Sequence, residues 1–369
     1  MLIFRRLTIL IICLLGITGY TVFSQEASVI DTASKAPAEE KKGFNAGEFI
    51  FEHIGDAYYW HILTLKTSHG DHPVAIPLLV IVYSKTTGLH AFCSSKLEHG
   101  NAVYKNFEIA MEGPDKGKVV EIQPDGTKVR PLDISITKNV AALLVSVALM
   151  LWIFLTAAKA YKKNPNQAPK GLQSVVEPFI MFIRDDIARP SIGDKRYERY
   201  MPYLCTIFFF IWINNMMGLI PFVPGGANVT GNIAVTMVMA LFTFAITTFS
   251  GNKHYWREMV DAPGVPWWLK FPLPIMPLVE ISGMFTKPFI LMIRLFANIT
   301  AGHIVVLGFF SLIFIFGQMN VALGYAVSPL SVAFVIFIYF LELLVALIQA
   351  YVFTLLSALY FGLATAEHH

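Results

Sequence analysis

Residues 278–303 read LVEISGMFTKPFILMIRLFANITAGH, an almost wholly apolar stretch that is long enough to cross a bilayer. The stretch nevertheless carries Glu280, Lys287 and Arg294. An arginine at the centre of a membrane helix costs at least about 2.5–3.5 kcal/mol by insertion scales. Asn298 follows one helical turn after Arg294 on the same face, and small neighbours leave room there for another helix. The stretch therefore predicts a membrane helix whose cation has a function.

The composition of the whole chain is typical of a membrane protein with some soluble mass. Of the 369 residues, 55% are hydrophobic and 14% are charged, whereas soluble domains average about 25% charged residues. The net charge of +3 is too small to indicate nucleic acid as a partner. The three cysteines predict no disulfide framework, and the chain has no phosphate loop of the GxxxxGKS/T kind. Any nucleotide chemistry is therefore expected on another chain.

The chain opens with a pattern typical of a secretory leader. Two arginines precede an apolar run, and Val22 and Ser24 suit the −3 and −1 positions of a cleavage site. We therefore predict a signal peptide over residues 1–24, with an uncleaved first helix as the alternative. Residues 25–45 are rich in Ala, Ser, Lys and Glu and are predicted to be a linker.

Residues 46–133 are predicted to form a β-rich extension outside the cytoplasm. Clusters of Gly, Pro and Asp separate five segments with strand composition, which are HILTLK, PLLVIVYS, GLHAF, FEIAM and VVEIQ. The histidines of this segment fit no zinc signature by their spacing, so surface and turn histidines are preferred over a metal site. No metal or cofactor is expected, and the sequence does not indicate what the extension does.

Residues 134–369 are predicted to be an all-α polytopic membrane domain with about five membrane-embedded helices. The predicted spans are residues 137–158, 201–220, 232–249, the opening stretch extended to about 318, and 329–363. An amphipathic helix over 171–193 is expected to lie on the membrane surface. The last two stretches are longer than the ~20 residues that a vertical helix needs, so both are expected to be tilted.

The basic residues predict the orientation of the spans. Lys162 and Lys163 follow the first span, and the loop at 251–271 carries three further basic residues. The links at 221–231 and 318–329 carry no charge. Because basic loops stay in the cytoplasm, the extension is predicted to be outside and the C-terminus cytoplasmic.

Two ionisable residues are predicted to face opposite ways on one helix. Arg294 and His303 are nine positions apart, so they point in opposite directions about 13 Å apart along the axis. Glu342 on the next span is the predicted companion of His303, because an imidazole and a carboxylate in contact can pass a proton near neutral pH. Arg294 stays charged in any protein. It can therefore attract a partner's carboxylate and block direct proton passage.

Each of these residues also has a structural interpretation. His303 can be a core residue and its pair with Glu342 can be structural, while Asn298 and Gln349 can make ordinary interhelical hydrogen bonds. Arg294 is harder to explain in this way, because nothing acidic lies within one helical turn of it.

The sequence around these residues resembles subunit a of F-type ATP synthases, the membrane stator of the rotary motor. The matching motifs are RLFANITAGH at 294–303, EISGMFTKP at 280–288, ELLVALIQAYVF at 342–353 and NNMMGLIPF at 214–222. The resemblance covers roughly residues 134–365, and RLF-x-N-x-x-x-G is highly specific in this context. The leader and the β-rich extension lie outside it. A large outward extension indicates a bacterial branch, and therefore a bacterial inner (plasma) membrane.

The resemblance implies a proton-translocating stator that forms two offset half-channels against the c-ring and couples proton flow to rotary ATP synthesis. Such a chain is not an enzyme on its own. The implied partners are the c-ring, peripheral stalk subunit b, other ATP synthase subunits and membrane lipid. The implied site residues are Arg294 facing the c-ring carboxylate, Asn298 and Gln349 lining the path, His303 and Glu342 relaying protons, and Glu280 at the exit.

Two other classes of function are open at this point. A stand-alone secondary transporter with Arg294 binding an anionic substrate predicts an internal repeat, and none is apparent in the sequence. A purely structural membrane scaffold gives no account of Arg294. The choice between H+ and Na+ depends on the partner's ion-binding carboxylate and is not written in this chain.

Overall fold

The computed structural model describes residues 45–67, 70–163, 168–220, 225–260 and 275–366. The predicted signal peptide at 1–24 and almost all of the predicted linker at 25–45 lie outside the described residues. Within the described part, five helices are long and apolar enough to cross a membrane, as predicted.

The extension consists of one helix followed by short antiparallel strands. In chain order they are α1 (Ala46–Ile54), β1 (Tyr59–Thr67), β2 (Gly70–Pro77), β3 (Leu79–Ser84), β4 (Gly88–Cys93), β5 (Phe107–Ile109), β6 (Val119–Ile122), β7 (Lys128–Val129) and β8 (Leu132–Asp133). They pair as the hairpin β1-β2, the sheet β4-β3-β8 and the sheet β5-β6-β7. A 3-10 turn over Ser94–Gly100 joins the last two sheets.

The five predicted strands are confirmed, but the two-residue strands β7 and β8 and the longer strand β2 were not predicted. The largest of these omissions is β2. Its sequence GDHPVAIP begins with Gly-Asp and contains two prolines, which indicate a turn when they are read alone. In the structure Gly70 pairs with Thr67, and Asp71 pairs with Lys66, so both residues belong to the strand. Because β2 has a single neighbouring strand among the described residues, its other edge is one where prolines are tolerated.

The extension has a small core of its own. Val80 and Val82 are fully buried in the centre of β3, as the alternation of a half-buried strand requires. The Tyr58 hydroxyl donates a hydrogen bond to Asp133 and accepts one from the backbone N–H of Val119 at 3.3 Å. Burial and the Asp133 carboxylate raise the pKa of Tyr58. These bonds tie the start of the extension to its last strands.

The membrane domain contains eight described helices. They are α2 (Lys138–Lys163), α3 (Leu172–Phe182), α4 (Arg189–Ile192), α5 (Tyr197–Leu219), α6 (Ile233–Ser250), α7 (Lys253–Val260), α8 (Ile275–Met319) and α9 (Val321–Thr365). The candidate spans are α2, α5, α6, α8 and α9. The predicted amphipathic helix over 171–193 corresponds to α3 and α4, which a π-helical turn at Ile183–Ala188 joins.

The link between the last two spans is much shorter than the sequence indicates. The Ser-Pro pair at 328–329 predicts an interruption, since the residue before a proline disfavours helix. The predicted start of the last helix at 329 is wrong, because α9 begins at Val321 and runs through Pro329. Asn320 caps it by accepting a hydrogen bond from the Ala322 N–H at 2.9 Å. Asn320 is therefore the whole link between α8 and α9.

The helix α5 forms the centre of the membrane domain. Of its apolar stretch 72% is buried inside the protein, against 11% in α8 and in α9. Phe208 is among its fully buried side chains. On the other side of the core, Gly362 of α9 lies against α4, and a Cβ there would come within 1.9 Å of the Ser191 carbonyl oxygen. One end of α9 is thus held against the core, while most of its length is exposed.

Candidate functional site

Arg294 lies on the exposed face of α8. Beside this face Leu291 and Leu295 are 1% exposed and anchor the helix to the core. Asn298, one turn further on, is also exposed. Among the described residues, no carboxylate forms an ion pair with Arg294. The guanidinium is therefore presented outward and is not neutralised within this part of the chain.

A tyrosine that sequence reasoning missed lies between two cations. The Lys287 ammonium is 5.7 Å from the ring centroid of Tyr360 on α9, a cation–π distance. The Tyr360 hydroxyl is also close enough to Arg294 to interact with it electrostatically. Sequence spacing carries no signal for this contact, since Tyr360 is on another helix.

Glu280 is exposed near the start of α8. Burial raises the pKa of Tyr255 on α7, and the Glu280 carboxylate adds to this effect. The two groups are therefore near neighbours. Tyr255 also lines a small cavity together with Thr243, Thr247, Lys287 and Tyr360, so Glu280 and Lys287 lie on the same side of the molecule.

The structure does not bring His303 and Glu342 into the predicted direct contact. A Cβ added to Gly302 would lie 2.3 Å from Glu342 Oε1, so the carboxylate rests against the Gly302 backbone. His303 is next in sequence and is turned by about 100°. Its Nε2 would lie 3.7 Å from a Cβ on Gly218 of α5. No ion pair or hydrogen bond joins the two side chains in the described part of the molecule.

Buried polar atoms without a protein partner mark where water is expected. Glu342 Oε2, Asn214 Oδ1 and Asn228 Nδ2 are buried and have no hydrogen-bond partner among the described residues. Buried polar atoms in native proteins are nearly always hydrogen-bonded to protein or to water. Water near these atoms would connect His303 and Glu342 in place of the predicted direct contact.

The segment 225–232, between α5 and α6, is folded back onto the neighbouring helices. Thr230 Oγ1 donates to Asn215 Oδ1 at 2.6 Å, and Asn215 Nδ2 donates to the Ala346 carbonyl of α9 at 3.2 Å. Thr300 of α8 donates to the Gly231 carbonyl at 3.4 Å. The sequence analysis did not predict this network, although the Asn-Asn pair at 214–215 is a signal that could have found it, because two amides in an apolar span need partners.

Gln349 and Asn298 occupy different environments. Gln349 is 6% exposed and lies on the inward face of α9 with Ala346 and Phe353, both of which are buried. Glu342 is half-buried on the same face, as the seven-residue spacing predicts. Asn298 instead accompanies Arg294 on the exposed face of α8.

Comparison with known sequences identifies the family. The profile of the family described as ATP synthase A chain matches residues 140–362. The chain belongs to this family. Membership confirms the resemblance to F-type ATP synthase subunit a and the proton-translocating stator role expected from it, whereas the transporter alternative has no support. The ATP synthase A chain is a non-catalytic membrane subunit of the synthase, so the chain has its place in that complex as a multi-pass bacterial membrane protein.

Three curated relatives match between 64% and 79% of the chain. ATP synthase subunit a 2 of Chlorobaculum tepidum is 46% identical over 253 residues, which cover 67% of this chain and 68% of that protein. ATP synthase subunit a of Chlorobium phaeobacteroides is 40% identical over 307 residues, or 79% of this chain and 85% of that protein. ATP synthase subunit a of Myxococcus xanthus is 41% identical over 249 residues, or 64% and 75%.

The extension matches a separate family. Residues 49–136 fit a domain of unknown function (DUF8433). This match begins after α1 has started and ends two residues before α2.

Proposed function

We propose that the chain carries protons along two half-channels that are kept apart by Arg294, with the exposed face of α8 turned toward the c-ring. The observation that supports this proposal is the placement of Arg294. It is a permanent cation on an exposed face of an apolar helix, where a charge facing lipid is unfavourable. A carboxylate that passes by on another protein would remove that penalty.

Protons from outside would enter between α5, the segment 225–232, α8 and α9. His303 and Glu342 lie there with the unpartnered polar atoms of Asn214 and Asn228, so water and side chains together form the relay. Asn298 and Gln349 would extend the polar path toward Arg294. A c-ring carboxylate that gains a proton there loses its charge, and a neutral acid can then face lipid at lower cost.

The exit would lie on the side of Glu280. The c-ring carboxylate reaches this second half-channel after nearly a full turn, releases its proton to the cytoplasm and is attracted by Arg294. Lys287, Tyr255 and Tyr360 surround this side. Each unit charge that moves through 100 mV releases about 2.3 kcal/mol, so several protons are needed for one ATP.

The orientation and the domain boundaries complete the proposal. Residues 46–133 would lie outside the cytoplasm, while the membrane domain at 134–369 would end inside it. Lys162 and Lys163 in the last turn of α2 support this orientation. The helices α8 and α9, at 45 residues each, would be tilted along the c-ring. Peripheral stalk subunit b would hold the chain still.

The decisive test is Arg294→Ala in the complete ATP synthase, with ATP-driven proton pumping measured in inverted membrane vesicles. We expect pumping to fall to background, because alanine can neither attract the passing carboxylate nor block direct proton passage. Arg257→Ala is the matched control, since Arg257 is exposed on α7 outside the spans, and it should pump normally. ATP hydrolysis in the same membranes reports assembly. Retained pumping by an assembled Arg294→Ala complex would refute the proposal.

A further inference from the structure

The extension is anchored in the membrane domain through Trp60. This side chain is 6% exposed and belongs to the same hydrophobic core as the membrane helices. Its indole Nε1 donates a hydrogen bond to the Gly225 carbonyl at 3.1 Å. Gly225 begins the described segment 225–232, and helix α1 of the extension packs against α8. The extension therefore touches the elements that hold His303.

Gly225, which accepts the hydrogen bond from Trp60, is packed tightly against the end of α5. A Cβ on Gly225 would lie 2.3 Å from the Ile220 carbonyl oxygen and 2.6 Å from that of Met217, so the segment is pressed onto the end of α5. Two residues later, the Ala227 carbonyl lies beside Gly218, the residue that His303 Nε2 approaches. A displacement at Gly225 would therefore move the wall next to His303.

A second set of contacts joins the extension to the first turn of α2. The Lys138 N–H donates to the Ala57 carbonyl at 2.8 Å, and the Asn139 N–H donates to Asp56 Oδ1 at 3.0 Å. The Lys138 ammonium donates to the His53 carbonyl at 3.3 Å. The extension thus satisfies backbone donors that a helix start leaves unpaired. We call this junction, residues 53–57 against residues 137–139, the seam.

The seam is close to His303 and contains buried polar atoms that lack partners. Helix α1, whose last turn contains His53 of the seam, packs against α8, the helix that carries His303, and the charge of Lys138 acts on His303. Thr137 Oγ1 and Asn139 Oδ1 are buried without a hydrogen-bond partner among the described residues. Asn139 is 3% exposed, so its carbonyl oxygen requires a water molecule. Asn214, Asn228 and Glu342 carry further buried atoms of this kind in the membrane domain.

We propose that the seam is the outer mouth of the proton entry path and that Trp60 is a positioning residue that holds the segment 225–232 against His303. The inference rests on the proposed function, since it assigns an opening to the path described there. It also gives the extension a role: the extension does not sit apart on a tether but forms one wall of the entrance. Protons would pass between the extension and α2 before they reach His303.

The first test measures whether water reaches the seam. In the complete ATP synthase with its native cysteines replaced by alanine, Asn139→Cys is exposed to Ag+ on the side of the membrane that carries the extension. We expect Ag+ to react at least about tenfold faster with this thiol than with Ala142→Cys, because only a hydrated thiol forms the reactive thiolate readily. Ala142 is 1% exposed in the next turn of α2, where no unpartnered polar atom is found among the described residues. Equal reaction rates would overturn the proposal.

The second test addresses Trp60. Trp60→Phe keeps an aromatic ring and loses the N–H donor. We expect passive proton conductance through the membrane sector, stripped of its catalytic head, to fall about fivefold, with a changed Ag+ reaction rate at Asn228→Cys. Trp152→Phe is the matched control, because Trp152 is 58% exposed on α2, and it should conduct normally. If Trp60→Phe left both readouts unchanged, Trp60 would be a packing residue and the positioning role would be refuted.

The two proposals fail in different ways. If Arg294→Ala pumps, the function assigned to α8 is refuted whatever happens at the seam. If Arg294→Ala is inactive while Asn139→Cys and Ala142→Cys react with Ag+ alike, the proton path exists but opens elsewhere. In that case the inference about the seam alone is refuted.

Discussion

In a soluble protein the more apolar helices are the more deeply buried, and the comparison of α5 with the pair α8–α9 shows the opposite. The apolar stretch of α5 has a mean hydropathy of 1.3 and is 72% buried, whereas that of α9 has a mean hydropathy of 2.7 and is 11% buried. In water the most apolar helix would be covered first. Here the most apolar surface is outermost, because lipid tails are as apolar as leucine and no hydrophobic force drives such helices inward.

The comparison shows what holds each region in place. Buried α5 carries amides and hydroxyls that bond to its neighbours, such as Asn215 to Ala346 and Tyr203 to Thr243 at 2.6 Å. The exposed pair carries Arg294 on an otherwise apolar surface. The hydrogen-bonded polar groups of α5 hold neighbouring helices together, whereas Arg294 forms no ion pair among the described residues. Substitutions in buried α5 should therefore lower mainly the stability of the chain. Substitutions of polar residues on α8 and α9 should lower mainly the coupling of proton flow to ATP.

The largest expected effect on stability is at Phe208. Phe208→Ala in α5 removes a fully buried ring, and large-to-small core substitutions of this kind cost about 3–5 kcal/mol. The matched change, Phe340→Ala in α9, alters a ring that is 71% exposed and should leave the thermal unfolding of the purified chain nearly unchanged. Thermal melts of both variants in detergent measure the difference. Equal melting temperatures would show that burial within the chain does not distinguish the two helices.

A smaller effect is expected where α9 meets α4. A Cβ at Gly362 would lie 1.9 Å from the backbone carbonyl of Ser191, so Gly362→Ala forces backbone to move and should cost about 1–3 kcal/mol. Gly308→Ala on α8 is the control, since nothing lies within 4 Å of its added Cβ. We expect it to be neutral or slightly stabilising, because alanine favours helix. The same thermal melt tests the pair, and an unchanged Gly362→Ala variant would contradict the close packing described here.

The smallest effect on stability, but a clear effect on coupling, is expected at Gly302. The added Cβ of Gly302→Ala would displace the Glu342 carboxylate, whose Oε1 lies 2.3 Å away. A flexible carboxylate can move at little cost, so the melting temperature should change by less than for Gly362→Ala. ATP-driven proton pumping should nevertheless fall several-fold below that of Gly308→Ala if Glu342 relays protons. Normal pumping by Gly302→Ala would argue against a role for Glu342 in this position.

The sequence predicts the spans well and the contacts between them poorly. Long apolar runs predicted the five candidate spans within a few residues of most of their ends, because length and hydropathy alone specify a membrane helix. The start of α9 was missed by eight residues, since the sequence around Pro329 indicates a break that the helix does not make. The strand β2 was missed for a related reason. Gly, Asp and Pro favour turns, but pairing with β1 can override that preference.

At the site, the residue types were predictable but their partners were not. Arg294 is evident from the sequence because a charge in an apolar run is costly wherever it points. His303 is separated from Glu342 because the preceding residue, Gly302, is the one that faces the carboxylate. A rotation of α8 by one residue, about 100°, decides which of the two residues does so. The contact from Trp60 to Gly225 spans 165 positions. No local pattern predicts a contact between two folded regions so far apart in the chain.

The single-residue connection at Asn320 has a mechanical consequence. The two longest helices among the described residues are joined there by one residue. Sliding one helix past the other by a single turn, 5.4 Å, would break the hydrogen bond by which Asn320 caps α9 at Ala322. At the far end, the Asn252 N–H donates to the Ala364 carbonyl at 3.0 Å. The hairpin is thus closed at one end by Asn320, and the other end of α9 is held by the turn between α6 and α7, so sliding of α9 is opposed at both of its ends. A sideways push delivered at Arg294 by a turning neighbour would thus be passed on as torque to the rest of the subunit and would not be absorbed by bending.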